Sequence, residues 1–595
     1  MSTKKIIFAA AFTSIKMDFI KRNISTLLLA IFVIVTTSMI YAPMFAYQEG
    51  MQIFMWGADF FADMCLRPGG LSDYVGCFWV QFFMYPAWIA VIFTLVVVGL
   101  KIIAKNIFQQ QCSEPWADFL SVVCALGLMV AIVNLNTVFG GVVAVLLSVL
   151  AVRIKDLTQN IVILSVATPL VYWAAGGWCC ILYILGVGLD KKINKSFIFL
   201  AVNTLALAFT VLITKKIMQD DSLLDTFAGV DYNLYDKTPN VSWLVSVVIV
   251  ALCIILTKID VKINKKIIQI ALNAVAVAGL VVWMAHTYDK SSMLDYKIDK
   301  MVRFKQWERI VNTMTDRYNK TSQSSNYYTS YQAQCYFNLA LSELGILDSK
   351  MFNILQIGTE GLASAEINNT DKSICNSEIY FRLGLLNIAE RLAVEAMESN
   401  DTHQKSARQY KRLAEISIIR QDKPLAMRYI KKLQKTLFYR AWANRAEQYL
   451  NNPSNVQPLA DWKIKPLTMD NDVFFTPSTG AYFLYNLLVN NPHNVKVFRY
   501  FVARLLLEKN ISKLYEFLSQ YHPDSEMGIS IYEATILYLF INNKEEFDKA
   551  MSANNELTRR FGAFCNFMSS PAAKDPQKAK ELYGKTYWFY YYYCN

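Results

Sequence analysis

The sequence predicts an all-α protein in two parts: a polytopic bundle of transmembrane helices, then a water-exposed array of helical repeats. Three observations carry that expectation. Long apolar runs alternate with short polar joints up to Thr287. The charge of successive joints alternates in sign, as a chain threading a bilayer requires. Beyond Thr287 the apolar residues recur at helix period among charged ones, the pattern of a soluble helical domain.

The first segment, residues 1–23, carries Lys4, Lys5, Lys16, Lys21 and Arg22 ahead of an apolar run from Ile24 to Phe45. That run has bilayer-spanning length and no small-residue cleavage site, so it reads as a retained signal anchor with a cytoplasmic N-terminus. Further apolar segments at 78–104, 118–134, 137–152, 159–175, 178–189, 196–214, 241–257 and 267–286 complete a transmembrane domain over 24–287. Together they predict about nine spans, and the close pairs within 118–152 and 159–189 read equally as short spans or as re-entrant hairpins.

Basic residues mark one set of joints: Lys101 and Lys105, Arg153 and Lys155, Lys191, Lys192 and Lys195, then Lys258, Lys262, Lys265 and Lys266. The opposite joints are acidic, an outer loop at 46–77 with Glu49, Asp59, Asp63 and Asp73, and another at 218–240 with Asp220, Asp221, Asp225, Asp231 and Asp236. Lys215 and Lys216 are a basic pair on the wrong side of this pattern. The positive-inside rule then puts residues 288–595 in the periplasm of a bacterial inner-membrane protein.

The net charge of +12 is accounted for by these membrane anchors. With no zinc-finger spacing and no ribonucleoprotein motif, no nucleic-acid partner is expected. Eleven cysteines are scattered without a CxxC, and Cys124, Cys179, Cys180 and Cys253 fall in apolar spans, where thiols pack as small hydrophobes. Cys65 and Cys77 flank the Pro-Gly-Gly turn of the first outer loop, where a disulfide is geometrically conceivable.

In the second half, "QYKRLAEISIIRQDKPLAMRYIKKLQ" places Tyr410, Leu413, Ala414 and Ile418 on one helix face, breaks at "RQDKP", and resumes with Ala426, Ile430 and Leu433. Small Ala414 and Ala426 suit a close antiparallel crossing, and the unit resembles a tetratricopeptide-type repeat. Weaker relatives such as "SEIYFRLGLLNIAERLAVEAME" extend the pattern into a tetratricopeptide-like α-solenoid. A first helical-repeat lobe is expected over 288–450, a proline-containing linker over 451–480 and a second lobe over 481–595. The closing "YGKTYWFYYYYCN" reads as a capping helix packed on the last repeat or resting on the membrane surface.

Motifs for chemistry are sparse. The chain has no Walker loop, no GxSxG elbow, no HExxH and no dinucleotide fingerprint. Asp470-Asn471-Asp472 reads as a solvated turn, and the four histidines, 286, 403, 493 and 522, supply no imidazole-based site. Asn203 and Asn273 lie mid-span, where amides bond helix to helix, and the spans otherwise carry no charge away from their ends, which argues against a coupled transporter.

The richest stretch is "WGADFFADMCLRPGGLSDY", residues 56–74. An amphipathic helix over 48–66 would put Asp59 and Asp63 on one face and let Met55, Trp56 and Phe60 enter the membrane interface. This arrangement resembles the first outer loop of integral-membrane glycosyltransferases that use polyprenyl-linked sugars. The resemblance implies Glu49, Asp59 or Asp63 as catalytic base or as partner of a divalent metal, with a polyprenyl-linked glycan as substrate. Segments such as "LRPGGLSDYVGCFWVQFF" and "LAMRYIKKLQKTLFYRAWA" also resemble an uncharacterised family of bacterial multi-pass membrane proteins with a helical-repeat C-terminal half.

Two functions follow as expectations. The leading one is a membrane scaffold without a cofactor, embedded in the lipid bilayer, whose periplasmic repeats dock a protein partner in envelope assembly or glycan export. The alternative is the glycosyltransferase just described.

Overall fold

The computed structural model describes residues 23–594 apart from 194–195, 220–221, 235–239, 260, 262–265, 322–329, 365–368, 400–404, 455, 460–461, 463–467, 469–479, 522–525 and 554. The basic N-terminal stretch, His403, His522 and the run 470–472 lie outside the described residues. Among those described the chain is helical, with no strand and one isolated bridge between Thr137 and Asn233. It divides into two compact units. The first comprises Met1–Asp289, Asn400–Ala407 and Lys432–Ala441, and the second Lys290–Ser399, Arg408–Lys431 and Trp442–Asn595.

The first unit opens with α1 (Asn23–Ile40), α2 (Ala42–Gly50), α3 (Ala58–Cys65), α4 (Gly70–Val80), α5 (Pro86–Phe108), α6 (Glu114–Ile132) and α7 (Phe139–Ala151). It continues with α8 (Ile154–Leu157), α9 (Ile161–Ala175), α10 (Gly177–Gly188), α11 (Ser196–Met218), α12 (Leu223–Ala228), α13 (Val241–Leu256) and α14 (Lys266–Thr287). Five of these, α1, α5, α6, α11 and the Ile267–Thr287 stretch of α14, are long and apolar enough to cross a membrane. Such helices support association with a membrane.

This corrects the expectation of about nine spans. The other four apolar segments form α7, α9, α10 and α13, of 13, 15, 12 and 16 residues. At 1.5 Å per residue they reach only about 18–24 Å, against a hydrocarbon core of about 30 Å. Local chemistry cuts them short. Asn160 caps α9 and Asn240 caps α13 through their side-chain oxygens, and Gly176, at φ +79°, separates α9 from α10.

Packing follows the division by length. Long α11 and α14 turn apolar side chains such as Phe197, Leu205, Phe209, Ile267, Val275 and Val282 outward, as a lipid-facing surface requires. Helix α6 is largely buried and packs on α5, α13 and α14, while α10 packs on α7, α9, α11 and α13. Asn203 on α11 accepts a hydrogen bond from Thr168 on α9 (2.5 Å) and donates to Ser165 (3.1 Å), tying the two helices together. Where α4 crosses α7, a Cβ on Gly76 would stand 2.4 Å from the backbone nitrogen of Gly140, so the contact requires glycine.

The second unit is built from α15 (Lys290–Arg303), α16 (Trp307–Thr321), α17 (Tyr331–Glu343), α18 (Leu347–Lys350), α19 (Thr370–Leu383), α20 (Leu386–Glu398), α21 (Ala407–Ile419), α22 (Lys423–Gln434) and α23 (Arg440–Asn451). After these come α24 (Gly480–Asn490), α25 (Val495–Leu507), α26 (Ile511–Gln520), α27 (Ile529–Asn542), α28 (Lys544–Ala553), α29 (Asn555–Met568), α30 (Pro576–Tyr583) and α31 (Tyr587–Tyr593). Residues of α21, α22 and α23 that fall in 400–407 and 432–441 belong to the first unit.

One turn recurs through this unit. After α15, α17, α19, α21 and α25 the chain passes through a left-handed residue: Lys305, Gly345, Gly384, Gln421 and Lys509. Each time that residue's N–H bonds the carbonyl three residues back, and the next N–H bonds the carbonyl five back, as in Gly384 to Phe381 and Leu385 to Tyr380. These are Schellman motifs, which satisfy the free carbonyls at a helix end and reverse the chain into the next helix. The first four stand 40, 39 and 37 residues apart.

Buried ion pairs link the helices that precede these turns. Asp299 on α15 accepts two hydrogen bonds from Arg408 on α21, each 2.9 Å, and one from the Tyr336 hydroxyl on α17. Glu378 on α19 pairs with Arg382 at 2.8 Å and with Arg412 on α21, whose guanidinium lies 3.7 Å from the Phe381 ring. Burial opposes ionisation of Glu378, yet these arginines prevail and hold its carboxyl well below the usual range.

Glu533 on α27 behaves oppositely. Its carboxylate accepts the Tyr587 N–H at 2.8 Å and an Arg560 N–H at 3.1 Å, and its carbonyl accepts the Trp588 indole N–H. The aromatic C-terminal segment is thereby a packed helix, with Tyr587, Trp588, Phe589 and Tyr590 buried. Burial outweighs Arg560 and pushes the Glu533 carboxyl up to about 7.

Two outcomes are expected from variants of the full-length, detergent-solubilised protein. Gly384→Ala should cost roughly 1–2 kcal/mol in denaturant unfolding, because alanine resists the left-handed turn, whereas Gln421→Gly should not destabilise. Glu533 binds its proton more tightly folded than unfolded, so its contribution is complete below the usual carboxylate pKa near 4.5 and is lost as pH rises through about 7. Glu533→Gln should therefore flatten the fall in melting temperature between pH 5 and pH 8 on the order of the wild-type slope.

Candidate functional site

The carboxylates singled out in the sequence lie in the segment joining α1 to α5. It does not form one helix over 48–66. Helix α2 ends at Gly50 and α3 starts at Ala58, with Gly57 at φ +150° between them, a backbone conformation suited to glycine that interrupts helix continuation. An aromatic cluster fills the break: Phe54 meets the rings of Trp56, Phe60, Tyr74 and Phe78 at 5.1–5.7 Å.

Glu49 ends up buried, 6% exposed, on the wall of a cavity shared with Gln52, Cys77, Gln81 and Thr436. The cavity holds about 20 Å³, room for one water molecule. Gln52 presents a side-chain oxygen without a hydrogen-bond partner there. The segment is secured by bonds from Ser406 to the Gly50 carbonyl (2.6 Å) and from the Trp56 N–H to the Lys435 carbonyl (2.7 Å).

Asp59 and Asp63 take a different position. They lie one turn apart on α3, a helix with no buried residue, and both are exposed to solvent. The structure does not bring them to the Glu49 cavity. Cys65 and Cys77 are free thiols rather than a disulfide. Among the described residues no group of three or more His, Cys, Asp or Glu side chains is placed to hold a metal ion.

The Pro-Gly-Gly turn has a structural part. The Val230 N–H bonds the Pro68 carbonyl, the Gly69 N–H bonds the Trp173 carbonyl, and the Tyr232 hydroxyl bonds Ser72 at 2.6 Å. Gln48 reaches the carbonyls of Leu135 and Thr137, and Val138 bonds Tyr232. Residues of 46–77, 134–138, 173–177 and 226–234 thus form one hydrogen-bonded layer. A second layer joins the opposite helix ends through Gln110 to Asp156, Lys191 to the Gln111 carbonyl, Lys155 to Asp190, and Ser113 to the Val261 carbonyl.

Sequence reasoning missed the most concentrated polar site of the first unit. Asp118, in the first turns of α6, lies 3.0 Å from Lys101 Nζ and 3.1 Å from Lys105 Nζ, both on α5. Lys101 and Asp118 are 1% and 2% exposed. Ser25 on α1 bonds the same carboxylate, Lys101 donates to Ser25 and Thr26, and Gln269 on α14 donates to Asp118 at 2.9 Å. Asn273, one turn along α14, adds a contact at 3.5 Å. The signal was present in "GLKIIAKNIF", two lysines four residues apart at the end of an apolar run, each able to face one acid on the next helix.

The chain belongs to a family of unknown function, DUF6057, whose model matches residues 18–594. No curated protein and no solved structure matches it.

These positions separate structural from dispensable carboxylates. Asp118→Asn leaves buried Lys101 without an ionised partner and should destabilise the solubilised protein by about 3–5 kcal/mol. Asp59→Asn and Asp63→Asn should each stay within about 0.5 kcal/mol of wild type in the same unfolding assay.

Proposed function

We propose that this member of DUF6057 is an inner-membrane scaffold whose second unit lies in the periplasm and docks a protein partner for envelope assembly or glycan export. The observation that carries this reading is the recurring hairpin of the second unit, with the same Schellman turn at intervals of 37 to 40 residues. This period lies between tetratricopeptide repeats of about 34 residues and longer helical repeats of about 40–47, and helix-pair repeats of that kind present extended surfaces to other proteins, which supports the reading. Helix α24 adds an apolar stripe, since Tyr482, Tyr485 and Val489, at i, i+3 and i+7, are all exposed.

The orientation rests on charge. The layer that includes Lys155 and Lys191 takes the cytoplasmic side, and the layer holding Asp73 and Asp231 the periplasmic side. Lipid surrounds the outward faces of α11 and α14.

Photocrosslinking in living cells tests the proposal. With a photoreactive residue at Tyr482 or Tyr485 of the full-length chain, a reproducible protein adduct is expected, and none from Val275 on the lipid-facing α14. A membrane-impermeant thiol reagent should label Tyr482→Cys from the periplasmic side. Absence of any protein adduct at α24, or labelling only after the inner membrane is broken, would overturn the scaffold reading.

A further inference from the structure

A second polar cavity lies wholly within the second unit, between the end of α16, α29 and the α30–α31 turn. Its volume is about 410 Å³, within the range of small-molecule sites. Three cations line it, Arg560, Lys580 and Lys585, against one carboxylate, Glu581. The remaining wall is mostly polar or aromatic, including Tyr318 and Thr586, with Leu582 the one aliphatic side chain.

Two of the cations are held in place by the fold. Arg560 donates to buried Glu533 at 3.1 Å and its guanidinium stands 6.0 Å from the Trp588 ring. Lys580 Nζ lies 5.6 Å from the centre of the Tyr318 ring. Burial of Glu533 weakens its hold on charge, which leaves Arg560 more of its positive field for the cleft. Lys585 is exposed at the rim.

We infer that this cleft binds an anionic small molecule of monosaccharide size, one that offers a phosphate or carboxylate to Arg560, Lys580 and Lys585. A guanidinium beside two ammonium groups matches such an anion, since charge-assisted hydrogen bonds are the strongest of the neutral-pH contacts. A neutral sugar gains nothing from the cations and is discriminated against. This site is independent of the protein-docking surface on α24.

Titration calorimetry of the full-length protein in neutral detergent, with glucose 6-phosphate, glucuronate and glucose as probes, tests the assignment. Saturable binding of at least one anion is expected and none of glucose. Lys580→Ala and Lys585→Ala should each weaken binding about tenfold, the loss of one charge-assisted contact. Glu581→Gln, which removes the carboxylate from the lining, should tighten it. Opposite signs for the lysine and glutamate variants cannot come from partial unfolding. In nanodiscs, loss of glucose 6-phosphate binding on replacing phosphatidylcholine with phosphatidylglycerol would assign the phosphate to a lipid headgroup, and undiminished binding to a soluble anion. No saturable binding of either anion, or equal affinity across the variants, would overturn the site.

Discussion

The first unit depends on one carboxylate. Asp118 meets Lys101, Lys105, Ser25 and Gln269, which come from α5, α1 and α14, while Asp118 itself belongs to α6. Four of the five helices long enough to cross a membrane therefore converge on a single buried group. Such a node adds little net stability, because desolvating the ions offsets much of their attraction. Its effect is on specificity: separating α5 from α6 leaves buried Lys101 without its carboxylate. Lys105, one fifth exposed, also lies 3.9 Å from Glu114, so the two lysines face two carboxylates, Asp118 and Glu114.

In the second unit the corresponding constraint is the helix end. Each hairpin must satisfy the last carbonyls of its first helix within a turn of two or three residues, and the Schellman geometry does so with backbone alone. Because the motif asks only for a left-handed residue, Lys305, Gln421 and Lys509 serve where Gly345 and Gly384 serve elsewhere, at a cost in backbone energy. The ion pairs then fix neighbouring hairpins against each other. Asp299 and Glu378 receive arginines from the same helix, α21, so α15, α19 and α21 are registered by charge as well as by apolar packing.

How much of this could be read from the sequence follows from the range of the interactions. The all-helical class was legible, since apolar periodicity is local, and so was the bonding role of Asn203 and Asn273. That "YGKTYWFYYYYCN" forms a helix was legible too, though not its anchor, because Glu533 lies more than fifty residues away in sequence. Spans were overcounted because hydropathy measures apolarity and not helix length: Gly176 divides one apolar stretch into α9 and α10, and α7 and α13 are apolar but short. The Schellman turns escaped because three of five lack the glycine that announces them. In the first loop the four carboxylates look alike in sequence, yet packing buries Glu49 and Asp73 and leaves Asp59 and Asp63 in solvent.

The short helices turn that overcount into a statement about the first unit. Helices α7, α9, α10 and α13 run between the two hydrogen-bonded layers, one containing Thr137, Ala175 and Asn233, the other Asp156, Asp190 and Val261. They are about 18–24 Å long, whereas α6 and α11, which run between the same two layers, reach about 28 and 35 Å. Buried non-helical backbone is tolerated only where its polar groups find partners. That is what the bonds from Val230 to Pro68, Gly69 to Trp173 and Val138 to Tyr232 accomplish, with Tyr232 and Ser72 buried at the centre. The dense loop packing and the short helices are therefore linked: where a helix stops early, the loop backbone beyond it is made self-sufficient in hydrogen bonds.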